Sequence, residues 1–229
     1  MNYEYPKLEK PKKVEFKNAI PINEIKKNQN YNQGVHFYVH DKYFIKYLEP
    51  VSAIKLVKLL IKFDFVIGPD YSLLGDAPEQ NRMMNVSRNL NLMAFMQNNG
   101  VNVIPNVRCL GEESYKYAFL GIPKKSIIAV SSYGNIKTLD NRQTFLKDLD
   151  QIFLVLEPRE VIIYGSFPNE IEFLYPHIQF HHIDNYLKLK LKKPTPLLEQ
   201  GADKSDFLTG QSPIHSTTIS TKGGEQKSG

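Results

Sequence analysis

Asp70 and Arg108 are the two side chains whose type and setting point most directly to chemistry. Asp70 follows an apolar run and a Gly68-Pro69 turn in FDFVIGPDYS. A carboxylate there can act as a base, hold a cation, or fix a ligand hydroxyl or amine. Arg108 closes VNVIPNVR, where a guanidinium suits a carboxylate or a phosphate. Two plainer readings stand beside these: Asp70 can hydrogen-bond its own turn amides, and Arg108 can pair with Asp70. Further polar residues follow other apolar runs: His40 and Asp41, Asn106, Ser131 and Ser132, then Tyr164 and Ser166. Ser131-Ser132-Tyr133-Gly134-Asn135 and Gly165-Ser166 have the make-up of small anion cradles, with hydroxyls and a glycine that lets backbone N–H groups converge. Neither a G-x-x-x-x-G-K-[ST] loop nor a G-x-G-x-x-G fingerprint is present.

Other chemistries have less support. His36 and His40 share one face of a strand and with Asp70 would make a histidine-carboxylate metal site, but isolated strand histidines are usually packed and hydrogen-bonded. His181 and His182 point to opposite faces of a strand, so at most one serves a site. No G-x-S-x-G elbow surrounds a serine, and Cys109 has no evident base partner. Asp76, ahead of Ala77-Pro78, reads as a loop residue or helix starter. Met83, Met84, Met93 and Met96 read as a core stripe, and no helix-turn-helix, RNP or zinc-finger signature is visible.

These residues need a scaffold that brings distant turns together, and the chain alternates accordingly. Strands are expected at Gly34–His40, Phe63–Ile67, Val101–Ile104, Ser126–Val130, Glu160–Ile163 and Ile178–Ile183. Helices are expected over Val51–Lys62, with Ile54, Val57 and Ile61 as its stripe, and over Glu79–Asn99, with Val86, Leu90 and Met93 inward. A short helix at Glu112–Leu120 follows. Another begins at a capping-box-like Asp140/Gln143 pair and carries Phe145, Leu149, Ile152 and Leu156 on one face. The last short helix is Glu170–Tyr175. Such a succession predicts an α/β fold with one parallel sheet of five to six strands, either an open Rossmann-like sheet or a partial or distorted (β/α) barrel. In both, residues just after each strand converge on one rim.

The net charge of +5 is uneven. Residues 1–30 hold seven Lys and four Glu, residues 185–229 hold seven Lys and four acids, and the interval between has fifteen basic and sixteen acidic residues. Three segments are therefore expected: a basic N-terminal extension at 1–30, in which Ala19–Ile22 docks on the body; a single α/β domain at 31–193; and a disordered polar tail at 194–229. Nucleic-acid affinity through such ends would be weak, sequence-independent, steeply salt-dependent and absent from a 31–184 span, which should still fold. One cysteine excludes an internal disulfide framework. No signal-peptide h-region and no run near the roughly 20 apolar residues of a membrane span is seen, so the expected location is cytoplasmic, in a bacterial or phage-infected host cell, without membrane association.

Several blocks together resemble a known family: Asp64 with Gly68-Pro69-Asp70-Tyr71-Ser72, Asn85-x-x-Arg88, Asn98-x-Gly100 ahead of Val103-Ile104-Pro105-Asn106-Val107-Arg108, Gly121-Ile122-Pro123, Gly134-x-x-Lys137 and Tyr164-Gly165. The family comprises proteins of bacteria, their phages and mobile elements and is known as a domain of unknown function. The resemblance spans about residues 31–184 and implies family-like positions at Asp70, Asn85, Arg88, Asn106, Arg108, Gly134 and Tyr164. Cys109 stands where the family often has an aromatic. Ser131-Ser132-Tyr133 replaces a pattern with a histidine, so histidine chemistry at that loop is not carried over.

The expected site is thus Asp70 and Arg108 as acting groups, with Asn85, Arg88, Asn106, Ser131, Ser132, Gly134, Tyr164 and Ser166 as ligand-binding positions and no metal. Its ligand is expected to be a small-molecule, phosphate-bearing or nucleotide-type compound, in a phage or mobile-element accessory protein of hydrolase or transferase kind. The competing classes are a non-enzymatic module binding nucleic acid or a host protein, and an enzyme fold that has lost its chemistry. No cofactor is identified.

Overall fold

Apolar residues on both faces of short strands require cover on both sides, and the chain meets this with an alternation of strands and helices. The computed structural model describes residues 4–133, 138–168 and 170–185. The strands are β1 (Ala19–Pro21), β2 (Gly34–His36), β3 (Phe65–Ile67), β4 (Val103–Ile104), β5 (Ile127–Ser131), β6 (Glu160–Tyr164) and β7 (Gln179–Ile183). The helices are α1 (Pro50–Leu60), α2 (Glu79–Asn98), α3 (Glu112–Ala118), α4 (Leu139–Leu156) and α5 (Glu170–Leu174), with short 3-10 turns between β1 and β2 and between β2 and α1. Gly134, Lys137 and the C-terminal tail expectation at 194–229 lie outside the described residues.

All pairings are parallel, in the orders β1-β2-β3-β4 and β5-β6-β7. This corrects the expectation of five to six strands in one sheet: the described residues form two parallel sheets, which do not make a closed barrel. They meet at one parallel bridge, Asn106 opposite Ala129, where Val107 N donates to Ala129 O and Ala129 N donates to Pro105 O, each at 2.8 Å. Pro105 faces β5 and has no N–H to donate there, which limits that contact to the bridge.

Alternate strand residues enter two apolar layers. Val66, Val103, Ile128, Val130, Val161 and Ile163 pack in the larger one, together with Leu56, Leu60, Leu90, Met93, Leu149 and Ile152 of the helices. Ala19, Phe65, Ile67, Ile104, Ala129, Ile162, Tyr164 and Ile183 form the second, which takes at least one residue from each strand but β2, whose side is filled by Tyr38.

Local signals explain the helix ends. Glu49 caps α1, accepting from Val51 N at 3.1 Å and Ser52 N at 2.8 Å, with Pro50 in the first turn. The buried face of α1 is Ala53, Leu56, Val57 and Leu60, whereas Ile54 and Ile61 are about half exposed; two apolar stripes overlap on this helix, and the other one faces the sheet. Thr138 caps α4, accepting from Asn141 N at 3.2 Å, in place of the expected Asp140 box. Phe145, Leu149, Ile152 and Leu156 are all buried, as their spacing requires.

The segment read as a basic extension is built into the fold. β1 pairs with β2, Leu8 N donates to Gly121 O at 2.8 Å, and Lys12 N donates to Asn102 Oδ1 at 2.9 Å. A 31–184 span therefore lacks an edge strand. Three residues ending in proline, among lysines, are too short a run for periodicity to reveal.

Candidate functional site

Three loops meet beyond the C-terminal ends of β2, β3 and β4. Gly68 and Pro69 turn the chain after β3 and present Asp70, while the Asn106 bridge holds the segment that carries Arg108. Asn106, 3% exposed, is the hub. Its Nδ2 donates to Pro69 O at 2.9 Å and to Asp70 Oδ1 at 3.0 Å, and its Oδ1 accepts from Tyr38 OH at 3.0 Å. The two acceptors on one side, Pro69 O and the Asp70 carboxylate, fix the orientation of the amide. Arg108 Nη1 lies 3.5 Å from Asp70 Oδ2, both side chains being only about one-seventh exposed (15% and 13%). At that separation the pair is ionic contact more than a tight hydrogen bond.

Tyr38 extends this network inward. Its ring stacks on Tyr164, with centroids 4.5 Å apart and planes at 21°, and His36 lies 5.0 Å from the same tyrosine. Burial, then the charge of Asp70, pushes the Tyr38 phenol well above its ordinary range, so it is a neutral donor. Burial drives the His36 imidazole down to about 3, so it is neutral, and its Nδ1 accepts from Tyr38 N at 3.2 Å. Sequence reasoning missed Tyr38. Its one signal is its place midway between His36 and His40, which puts it on the face those histidines share but names no partner.

The serines serve backbone. Ser132 Oγ donates toward Ser166 O at 2.7 Å and lies 3.2 Å from Tyr164 O, so the Ser166 group engaged is its carbonyl. Ser131 stands opposite Tyr164 in the β5–β6 register, and its Oγ accepts from Tyr133 N at 3.3 Å. Gly165, at φ +104°, is where side chains are excluded: a Cβ there would sit 2.7 Å from Ser132 Oγ. Ser131 stands next to Tyr164, which stacks on Tyr38, the donor to Asn106 beside Asp70.

Asn85 and Arg88 form a neighbouring cluster on α2. Arg88 Nη1 donates to Asn85 Oδ1 at 2.9 Å, and Asn85 Nδ2 donates to Ser72 O at 2.8 Å, which ties the helix to the loop that bears Asp70. Both line an open groove of about 230 Å³ with Ser72, Leu74 and Arg82. Arg82 is committed to Glu113 at 2.9 Å, whereas Arg88 has no carboxylate within ion-pair distance among the described residues. By contrast, the space between Asn106, Arg108 and Asn89 is only about 10 Å³, room for about one water.

The remaining candidates are engaged elsewhere. Asp41 accepts from Ser72 Oγ at 3.0 Å and Ser72 N at 3.2 Å, clamping the loops after β2 and β3. His40 Nδ1 accepts from Lys42 N at 3.2 Å, and His181 Nε2 lies 2.9 Å from Glu160 Oε2. His36, His40 and Asp70 do not assemble as metal ligands, and among the described residues no group of three or more His, Cys, Asp or Glu is placed to hold one. Cys109 is buried, and its thiol is pushed well up by burial and by Asp148. Asp148 accepts from Tyr115 OH at 2.8 Å and Gly111 N at 3.0 Å, and burial raises its carboxyl. No helix of the described residues is long and apolar enough to cross a membrane.

Comparison with known proteins adds a family and little chemistry. The gene 1 protein of Mycobacterium phage L5 is 26% identical over 134 residues, covering 58% of this chain and 57% of its own. That of Mycobacterium phage D29 is 27% identical over 134 residues, covering 58% of this chain and 48% of its own. The chain spans about half the length of these relatives. No solved structure matches it. The family model for the domain of unknown function DUF4417 matches residues 1–182, taking in the N-terminal segment with β1 as well as the rim. The chain therefore belongs to the DUF4417 family.

Proposed function

We propose that the rim at the strand C-termini binds a small phosphate-bearing, nucleotide-type ligand, in an accessory protein of phage or mobile-element origin acting in the cytoplasm of the host cell. One observation carries the reading: Arg88, at a family-like position, lines an open groove of about 230 Å³ and has no carboxylate partner among the described residues. A guanidinium held on one side by Asn85 keeps donors for an anion. Asp70 and Arg108 lie behind the loop at Ser72. In a hydrolysis Asp70 would accept the proton of the attacking water as its oxygen bonds to phosphorus, the ester oxygen would leave and take its proton from solvent, and Arg108 would balance charge. The scaffold that supports this rim is an open, partial barrel. In favour of that are the consecutive strand order, the shared inner layer, and Phe16, whose ring lies 5.8 Å from Phe65 of β3 and 4.9 Å from His181 of β7.

The test is thermal unfolding against nucleotides and sugar phosphates, each with and without divalent cations. A ligand at one hundred times its Kd stabilises by about 2.7 kcal/mol, which raises Tm by roughly 5–11 °C for a domain of this size. Arg88→Gln should fold normally and lose that shift. A panel without any shift, or a shift that survives Arg88→Gln, overturns the reading.

A further inference from the structure

The lysines of the N-terminal segment are held in place. Glu9 N donates to Gln97 Oε1 and Gln97 Nε2 to Glu9 O, both at 2.9 Å, and with the bonds of Leu8 and Lys12 they strap residues 8–12 to the body on α2 and the turns before β4 and β5. Gly121 permits the close approach: at φ +76° it lies where a Cβ would come within 2.2 Å of Pro6 O. The strap then borders a cleft of about 250 Å³ at the N-terminal ends of β5 and β6, opposite the rim. Lys10, Lys12 and Lys13 of the strap line it together with Lys125 and Arg159. Glu160 is the one acid among the described residues of its lining, and its carboxylate is engaged by His181.

Among the described residues, Lys10, Lys12, Lys13 and Arg159 have no carboxylate within ion-pair distance, and Lys125 reaches only the exposed Glu157, at 3.5 Å. An adjoining groove of about 330 Å³ shares Lys125 and Arg159 and adds His177. Five cations from three separate stretches of chain line one cleft whose single described acid is engaged by His181, a concentration of positive charge suited to phosphate. None of the described residues lining the cleft is aromatic, so it offers bases no stacking surface and reads backbone only.

We infer that this cleft binds the phosphodiester backbone of a single-stranded nucleic acid, independently of sequence and of the ligand rim. The strapped segment supplies prepositioned charge, which lowers the ordering cost that a loose tail would meet.

The experiment uses the full chain, a labelled mixed-sequence single-stranded oligonucleotide, and fluorescence anisotropy from about 50 to 200 mM salt. Lys12→Gln/Lys13→Gln/Arg159→Gln should weaken binding more than tenfold at the low end and make the log–log salt slope shallower by about 2, since each phosphate left without its cation takes about 0.7 from the slope. Lys42→Gln/Lys55→Gln/Lys58→Gln removes the same charge from an exposed face elsewhere and should change the slope little. Arg88→Gln should leave binding intact, which separates this cleft from the rim. Circular dichroism and urea midpoints establish that each variant is folded. Inorganic pyrophosphate is the second probe: tight pyrophosphate binding abolished by the cleft variant, without strand binding, assigns the same phosphate chemistry to a small ligand. Failure of both probes to bind, or equal weakening by the control triple, overturns the proposal.

Discussion

Asn106→Asp is the sharpest perturbation of the rim because it changes one atom's hydrogen-bonding sense and almost no volume. The wild-type Nδ2 makes two donations, to Pro69 O at 2.9 Å and to the Asp70 carboxylate at 3.0 Å. A neutral hydrogen bond contributes about 1 kcal/mol and one to a charged group about 2 kcal/mol. Losing both predicts a penalty of about 3 kcal/mol at neutral pH, or about 6–12 °C in Tm. The acceptor for Tyr38 OH is retained, so the loss isolates the Asp70 side of the network. Burial and the adjacent Asp70 raise the introduced carboxyl above its unfolded value of about 3.9 in the folded state. The folded variant then binds more protons than the unfolded chain, so its stability falls as pH rises through that raised value and recovers toward pH 4. Urea unfolding followed by far-UV circular dichroism, at a series of pH values beside the wild type, reads both effects. A penalty below about 1 kcal/mol, or one that does not vary with pH, would show that Asn106 is not the hub described here.

Two further substitutions separate site from scaffold. Asp70→Asn keeps an acceptor for Asn106 but leaves Arg108 mostly buried and without its counter-charge, which predicts a loss of about 2 kcal/mol, below the 3–5 kcal/mol of a fully buried pair; a loss under about 1 kcal/mol in urea titration, together with a lost ligand shift, would assign the carboxylate to the ligand instead. Asp148, whose carboxyl is raised by burial, adds stability that is complete below its unfolded pKa and is lost as pH rises through the folded one. Asp148→Asn preserves the acceptor for Tyr115 OH and should flatten this decline in unfolding midpoint across the acidic range; an unchanged slope would refute the assignment.

Much of the scaffold is legible locally. Short runs with apolar residues on both faces specify buried parallel strands, and the 4-3-4 spacing of Phe145, Leu149, Ile152 and Leu156 specifies the face of α4, because each depends on residues a few positions apart. The same holds for the position of Asp70, Asn106 and Arg108: a polar residue in the turn that follows a buried strand has little choice but the rim. What those residues touch is a different matter. Tyr38 meets Asn106 across 68 positions and Asn106 meets Asp70 across 36, and no local pattern encodes such partners. Tertiary structure alone decided that Asp70 and Arg108 face each other while Arg88 faces an open groove. It also split the strands into two sheets at Pro105 and recruited β1 from a lysine-rich segment too short to show a period. The strap of lysines makes the physical reason plain: composition counts charge along the chain, but only the hydrogen bonds of Leu8, Glu9 and Lys12 to distant residues determine which surface carries it.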